Sequence, residues 1–246
     1  MRNIYTENYN GLQTELKKQF SGNTIVDLNY TWSHSLTTYV ADRNTGSFMP
    51  VQGHIRDNNY GPGLADRRHV FTGDFVWEIP WLRNQPGFLG HTIGGWEFSG
   101  IQTFQTGLST QATQAVIDPT GADCLGPSPC SLRVNQIGDP NNGPRAFTQF
   151  FNNAALSVPV AGQTTIPSER PGALRLPGFW RTDLGLFKNI KLSERFGFQF
   201  RAEAFNAFNH TNPICCGSTS LTSPSFGIVT STRDPRTMEL GLKFAF

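Results

Sequence analysis

The sequence predicts an all-β fold: a segment of an antiparallel transmembrane β-barrel, with about seven long strands and long outer loops. Three observations predict it. Seven stretches alternate apolar and polar side chains over strand length. The connections between them alternate between short and long. The last eleven residues, Arg236 to Phe246, alternate strictly and end on an aromatic. In that segment Met238, Leu240, Leu242, Phe244 and Phe246 share one face and Glu239, Gly241, Lys243 and Ala245 the other. A closing barrel strand needs such an apolar row toward lipid, and this one is read as the outer-membrane insertion signal.

The other six strands follow in order. Residues 9–20 place Leu12, Leu16 and Phe20 opposite Gln13, Glu15, Lys17 and Gln19. Residues 24–36 place Val26, Leu28, Tyr30, Trp32 and Leu36 opposite Asp27, Asn29, Thr31, Ser33 and Ser35, after the tight-turn signal Ser21-Gly22-Asn23. Residues 67–79 set Phe71, Phe75, Trp77 and Ile79 against Arg68, Asp74 and Glu78. Residues 95–107 are less regular, because Gln102 shares a face with Trp96, Phe98 and Phe104 while Ile101 points the other way. Residues 178–192 set Trp180, Leu184, Leu186, Ile190 and Leu192 against Arg181, Asp183, Asn189 and Lys191. Residues 195–208 hold Phe196, Phe198, Phe200, Ala202, Ala204 and Phe208 on one face, and the period-2 Phe run favours strand over helix. None of the 16 prolines falls inside these stretches, as expected where every backbone N–H is needed in a ladder.

Connection length sets the expected direction. Residues 21–23, 80–94 and 193–194 connect at one end, and loops 37–66, 108–177 and 209–235 at the other. Outer-membrane barrels have short periplasmic turns and longer outer loops. In that orientation Trp32 and Trp180 lie near outer strand ends and Trp77, Trp81 and Trp96 near inner ends. These are the two aromatic girdles expected at the interfaces. Net charge is +2, which leaves no electrostatic footprint for nucleic acid. Mean hydropathy is −0.33 and no apolar run is long enough for a transmembrane helix. Barrels have an even strand number, whereas seven are read here, and no leader is visible at Met1. The expectation is therefore the carboxy-terminal piece of a larger barrel. A short eighth strand over Phe226–Thr232 is the rival reading.

Ordered motifs carry a family resemblance. They are Tyr9-Asn-Gly-Leu-Gln13, Tyr30-Thr-Trp-Ser-His34, Asp66-Arg-Arg-His-Val70, Gly94-Gly-Trp-Glu-Phe-Ser-Gly100 and Gln105-Thr-Gly-Leu108. Then come Asp183-Leu-Gly-Leu-Phe-Lys-Asn189, Phe200-Arg-Ala-Glu-Ala-Phe-Asn-Ala-Phe-Asn-His210 and Ser231-Thr-Arg-Asp-Pro-Arg236. Together they resemble the carboxy-terminal barrel of TonB-dependent outer-membrane receptors of the Oar-like class, which carry a carboxypeptidase-regulatory-like module. The resemblance implies a roughly 22-stranded barrel with a plug, energised by the TonB complex through segments that match no residue here. It implies outer-membrane lipid, the remaining strands and plug, and the barrel-assembly machinery (through the terminal strand) as partners.

No catalytic or cofactor-binding motif is present. His34, His54, His69, His91 and His210 lack metal-ligand spacing, so no metal site is read. The Arg181–Asp183 and Arg201–Glu203 pairs suit a polar barrel wall, and the chain is not read as an enzyme. Cys124 and Cys130 bracket Leu-Gly-Pro-Ser-Pro in the longest loop and are a disulfide candidate; for Cys215 and Cys216, vicinal bonding, free thiols, crossed pairing and metal capture stay open. The loop aromatics Phe48, Tyr60, Phe147, Phe150 and Phe151 either stack on ligand or pack the loops, with packing favoured. The function expected is binding and import of a siderophore, glycan or peptide. The alternatives are a non-transporting adhesion or structural barrel and a soluble β-sandwich binding protein.

Overall fold

A computed structural model describes residues 6–20, 24–38, 59–114, 133–160, 163, 167–191, 193 and 196–245. Along the chain these form β1 (Glu7–Gln19), β2 (Ile25–Thr37), β3 (Gly61–Pro62), β4 (His69–Glu78), helix α1 (Gly87–Ile93), β5 (Trp96–Gln105) and β6 (Ser109–Thr110). There follow β7 (Asn135–Gln136), β8 (Leu156–Ser157), β9 (Leu174–Arg175), β10 (Phe179–Lys191), β11 (Gly197–Phe205), β12 (Pro213–Cys215), β13 (Val229–Thr232) and β14 (Thr237–Ala245). Seven long strands make one antiparallel sheet in the order β1-β2-β4-β5-β10-β11-β14, with β3 beside the end of β2. β1 and β14 are its two edges, so the sheet does not close on itself.

The register keeps side-chain character in rows. Directly paired residues of antiparallel strands share a face. On one face, Trp77 pairs with Phe98, Phe98 with Leu186, Leu186 with Ala202 and Ala202 with Leu240. On the other, Asp27 pairs with Lys17 and Asp74, and Arg201 with Phe187 and Gly241. A slip of one residue would exchange the two faces, so the alternation in sequence specifies the pairing. The irregularities noted in β5 persist. Ile101 is 51 % exposed on the polar face. Gln102 lies on the apolar face, where Thr182 Oγ1 donates to its Oε1 and its Nε2 donates to Arg181 O at 3.1 Å and Thr103 O at 3.2 Å. The polar intruder is thus satisfied inside the sheet, which an apolar surrounding requires.

The long connections gather at one sheet end and fold into a cap. There β6 pairs with β9, β7 with β8 and β12 with β13. Ala112, Val134, Phe150, Phe151, Leu156, Leu174, Phe226 and Val229 form a buried cluster between them. Phe151 meets Phe150 edge-on at 5.3 Å and Phe226 at 5.9 Å between ring centroids. Each fully buried apolar side chain of this size contributes about 1.5–3 kcal/mol, so this cluster holds the cap together. The segment weighed as an eighth strand supplies β13, which pairs with β12 in the cap and not with the main sheet. The strand expected over 195–208 ends at Phe205. Asn206 and Asn209 there take φ of 52° and 51°, left-handed values that asparagine tolerates better than most residues.

Candidate functional site

Two polar clusters fasten the cap to the sheet. The first centres on Asp66, whose side chain is buried. Its Oδ1 accepts the Ser35 backbone N–H at 2.7 Å and lies 3.1 Å from His34 Nδ1. Its Oδ2 accepts Arg68 Nε at 3.2 Å and Arg175 Nη2 at 2.5 Å, and Arg175 Nη1 donates to the Asp66 carbonyl at 3.0 Å. One carboxylate therefore ties β2, the approach to β4, and β9 of the cap. Burial alone would raise the Asp66 carboxyl, but the Ser35 N–H, Arg175 and His34 outweigh it and hold it below the ordinary carboxylate value. Beside it, Arg67 Nη1 donates to Gln105 Oε1 and Ser33 Oγ to the Arg67 carbonyl at 2.8 Å.

The second cluster is built by Asn206-Ala-Phe-Asn-His210 and Asn212. Asn212 Nδ2 donates to Trp180 O at 2.7 Å and its Oδ1 accepts Trp180 N–H at 2.8 Å, imitating a neighbouring strand. Asn206 N–H donates to Asp183 Oδ1 at 2.8 Å, and Asn206 Nδ2 reaches the carbonyls of His210 at 3.0 Å and Asp234 at 3.2 Å. The Trp180 ring stacks on Phe208 and meets His210 edge-on at 4.5 Å. Inside the cap, Glu169 Oε1 accepts Ala112 N–H at 2.8 Å, and Arg133 Nη2 donates to Asn59 Oδ1 at 2.6 Å. Burial pushes the Glu169 carboxyl up to about 8 and the Arg133 guanidinium down to about 10.

Between these fastenings lies a cavity of about 800 Å³. Arg68, Arg145 and Arg175 line it together with His69, His210, Gln105, Asn141 and Asn212. Phe104, Phe150, Phe179 and Trp180 supply its apolar surface, and no carboxylate among the described residues lines it. Gly107 makes the rim possible, since a Cβ there would strike the Leu176 carbonyl oxygen. Arg68 and Arg175 are both held by Asp66, whereas Arg145 forms no salt bridge among the described residues. The site thus has a net positive charge and four aromatic rings, a chemistry for anionic, ring-bearing or partly apolar ligands.

Most of the singled-out residues lie elsewhere. Met238, Leu240, Leu242 and Phe244 form the apolar row of β14 and are 67, 73, 72 and 48 % exposed. Phe246 lies outside the described residues, as do Phe48, His54, Cys124 and Cys130. Cys215 and Cys216 are bonded to each other in the cap. Trp180 sits at the cap end of its strand, and Trp32 pairs with His69, the first residue of β4, toward the same end. Trp77 and Trp96 sit at the short-turn end and Trp81 in the connection beyond β4. Of these only Trp180 lines the cavity. Phe150 and Phe151 pack the cap core, Phe147 is exposed and Tyr60 partly buried. Asp66, Arg145, Arg175 and Asn212 escaped sequence reasoning as site residues. The run Asp66-Arg67-Arg68-His69 directly before a strand was the available signal for the first cluster.

Three features now stand together: a single antiparallel sheet with one apolar exposed face, all long connections at one end, and a ligand-sized cavity at that end. No helix among the described residues is long and apolar enough to cross a membrane, which says nothing of crossing by strands. No curated protein and no solved structure matches the chain. A family model described as an outer membrane beta barrel domain matches residues 1–239. The chain therefore belongs to the outer membrane beta barrel domain family, and its location is the outer membrane.

Proposed function

We propose that the chain forms wall and outer cap of a TonB-dependent receptor barrel of the Oar-like class, and that ligand is taken at the rim cavity before import. The observation that carries this reading is the cavity itself: about 800 Å³, cationic and aromatic, with no lining carboxylate among the described residues, directly under the cap. Cations there select anionic groups, and the rings of Phe179 and Trp180 offer faces for stacking. Binding and import need no covalent step, so no catalytic residue is assigned. Energy coupling would come from the TonB complex through a plug, the remaining strands of a roughly 22-stranded barrel would complete the wall, and β14 would be read by the assembly machinery. The motif series from Tyr9 to Arg236 supports this class.

The test uses cells producing the intact receptor and a panel of labelled ligands: an anionic ferric catecholate, a neutral oligosaccharide and a peptide. The proposal expects uptake of the anionic ligand, abolished by uncoupling the proton gradient, with KM raised at least tenfold by Arg145→Gln. Uptake that ignores the proton gradient, or binding indifferent to Arg145→Gln, would refute it. The packed apolar core of the cap supports a second reading, a rigid adhesive surface; that reading expects cell binding to a surface without any energy-dependent uptake.

A further inference from the structure

The connection between β4 and β5 leaves the sheet at the short-turn end and carries α1. Its large side chains are turned outward: Phe88 is 85 % exposed, Leu89 66 % and Trp81 63 %, with Leu82 and Ile93 beside them. So many exposed large apolar side chains within residues 81–93 of one connection are unusual in contact with water. Two fastenings fix where it sits. The Gln85 side chain is buried, donating from Nε2 to Asn189 O at 2.7 Å and accepting Lys191 N–H on Oε1 at 3.0 Å, which staples the connection to the end of β10. Lys188 then reaches from the lipid-facing row of β10, where it pairs with Trp96 and Phe200. Its Nζ donates to the carbonyls of Thr92, at 3.1 Å, and Gly94, and lies 5.2 Å from the Trp96 ring centroid. Trp96 Nε1–H donates to the same Thr92 carbonyl at 3.1 Å. The carbonyl end of α1 is therefore bound on the lipid-facing side of the wall.

We propose that α1 and the turn before it lie in the periplasm-facing phospholipid leaflet, with Trp81, Phe88 and Leu89 among the acyl chains near the headgroups. The patch is continuous with the lipid-facing row through Trp96 and Lys188, and this continuity names phospholipid as its occupant. An interfacial helix sinks its apolar face about 5–10 Å into the boundary region. Lys188, a cation in an apolar row, is explained by the same arrangement. Its stem covers apolar surface while its amine ends on helix carbonyls at the interface.

The test is fluorescence of the full chain reconstituted in phosphatidylethanolamine–phosphatidylglycerol vesicles with brominated acyl chains. Phe88→Trp is read as the emission added over the parent chain, Leu240→Trp on β14 marks the lipid-facing wall and Phe147→Trp marks the cap. The proposal expects the F88W emission to be blue-shifted and to lose as much intensity as that of L240W, more with bromine near the headgroup than near the chain ends, while F147W is unaffected. An F88W indole quenched by aqueous iodide and indifferent to bromine, beside a quenched L240W, would overturn it and point to a periplasmic protein surface. Failure of quenching at both positions would overturn it together with the lipid-facing assignment of the wall. Leu89→Trp gives the same reading should Phe88→Trp disturb the turn.

Discussion

The wall and the cap distribute their apolar residues in opposite ways. In the wall, Leu240 and Leu242 are more than two-thirds exposed; in the cap, Val134, Leu174 and Phe151 are at most 1 % exposed. Both obey the same rule of removing apolar surface from water. The wall meets lipid, so its apolar row points outward and its polar row inward. The cap meets water, so its aromatics turn in. One chain thus holds two solvent regimes, and the rim cavity lies where they meet.

Substitutions and pH titrations probe that contrast. Phe151→Ala removes the centre of the cap core and is expected to cost about 3–5 kcal/mol. Limited proteolysis in detergent should then cut within 108–177 while strand content by circular dichroism stays unchanged. A matching Leu240→Ala should leave proteolysis of the cap unaltered, and a shared loss of wall and cap in either variant would break the distinction. Asp66→Asn removes the carboxylate that Arg175 and Arg68 share, though both guanidinium side chains keep partial contact with water, and is expected to cost about 1–3 kcal/mol, released as undocking of the cap. Hydrogen exchange at Ser35 and in β9 would report it.

The two carboxyls should respond oppositely to pH. Asp66 is depressed below its ordinary value of 3.8. Its contribution is therefore present above about that pH and is lost as pH falls through the lower folded value. Glu169 is raised from 4.5 to about 8, so the fold prefers its neutral form and cap stability declines as pH rises between these values. Glu169→Gln, which keeps an acceptor for Ala112 N–H, should flatten that decline; a proteolysis profile unchanged from pH 5 to 8 would sink the assignment. The smallest effect belongs to the wall. Lys17 meets Asp27 at 3.3 Å but is 66 % exposed, so Lys17→Ala should change stability by less than about 1 kcal/mol in a denaturant titration.

The wall was legible in the sequence because its period of 2 is written residue by residue. Even the irregular Ile101 and Gln102 could be read there, since no distant partner sets a strand's face. The cap was not legible. Its short strands of two to four residues carry no period, and Phe151, Leu174 and Phe226 meet only after two separate connections fold together. The rim cavity shares this character: Arg145 and Arg175 stand 30 positions apart in one long connection, Arg68 precedes β4, and the three meet only through the Asp66 latch and the cap. Yet the buried apolar residues among the described residues, from Ala112 to Val229, all lie in the long connections. Trp180 shows the boundary case, visible as a girdle residue in sequence but found at the cavity only once Asn212 and His210 fold against it.

Hydrogen exchange of the chain in lipid nanodiscs tests the division into wall and cap most directly. Slow exchange at residues 134–136, 150–157, 174–176 and 226–229, alongside the seven long strands, is the expected result, with Phe151→Ala accelerating only the cap segments. Rapid exchange throughout the long connections, with protection confined to the strands, would mean that they form open loops and that no folded cap exists.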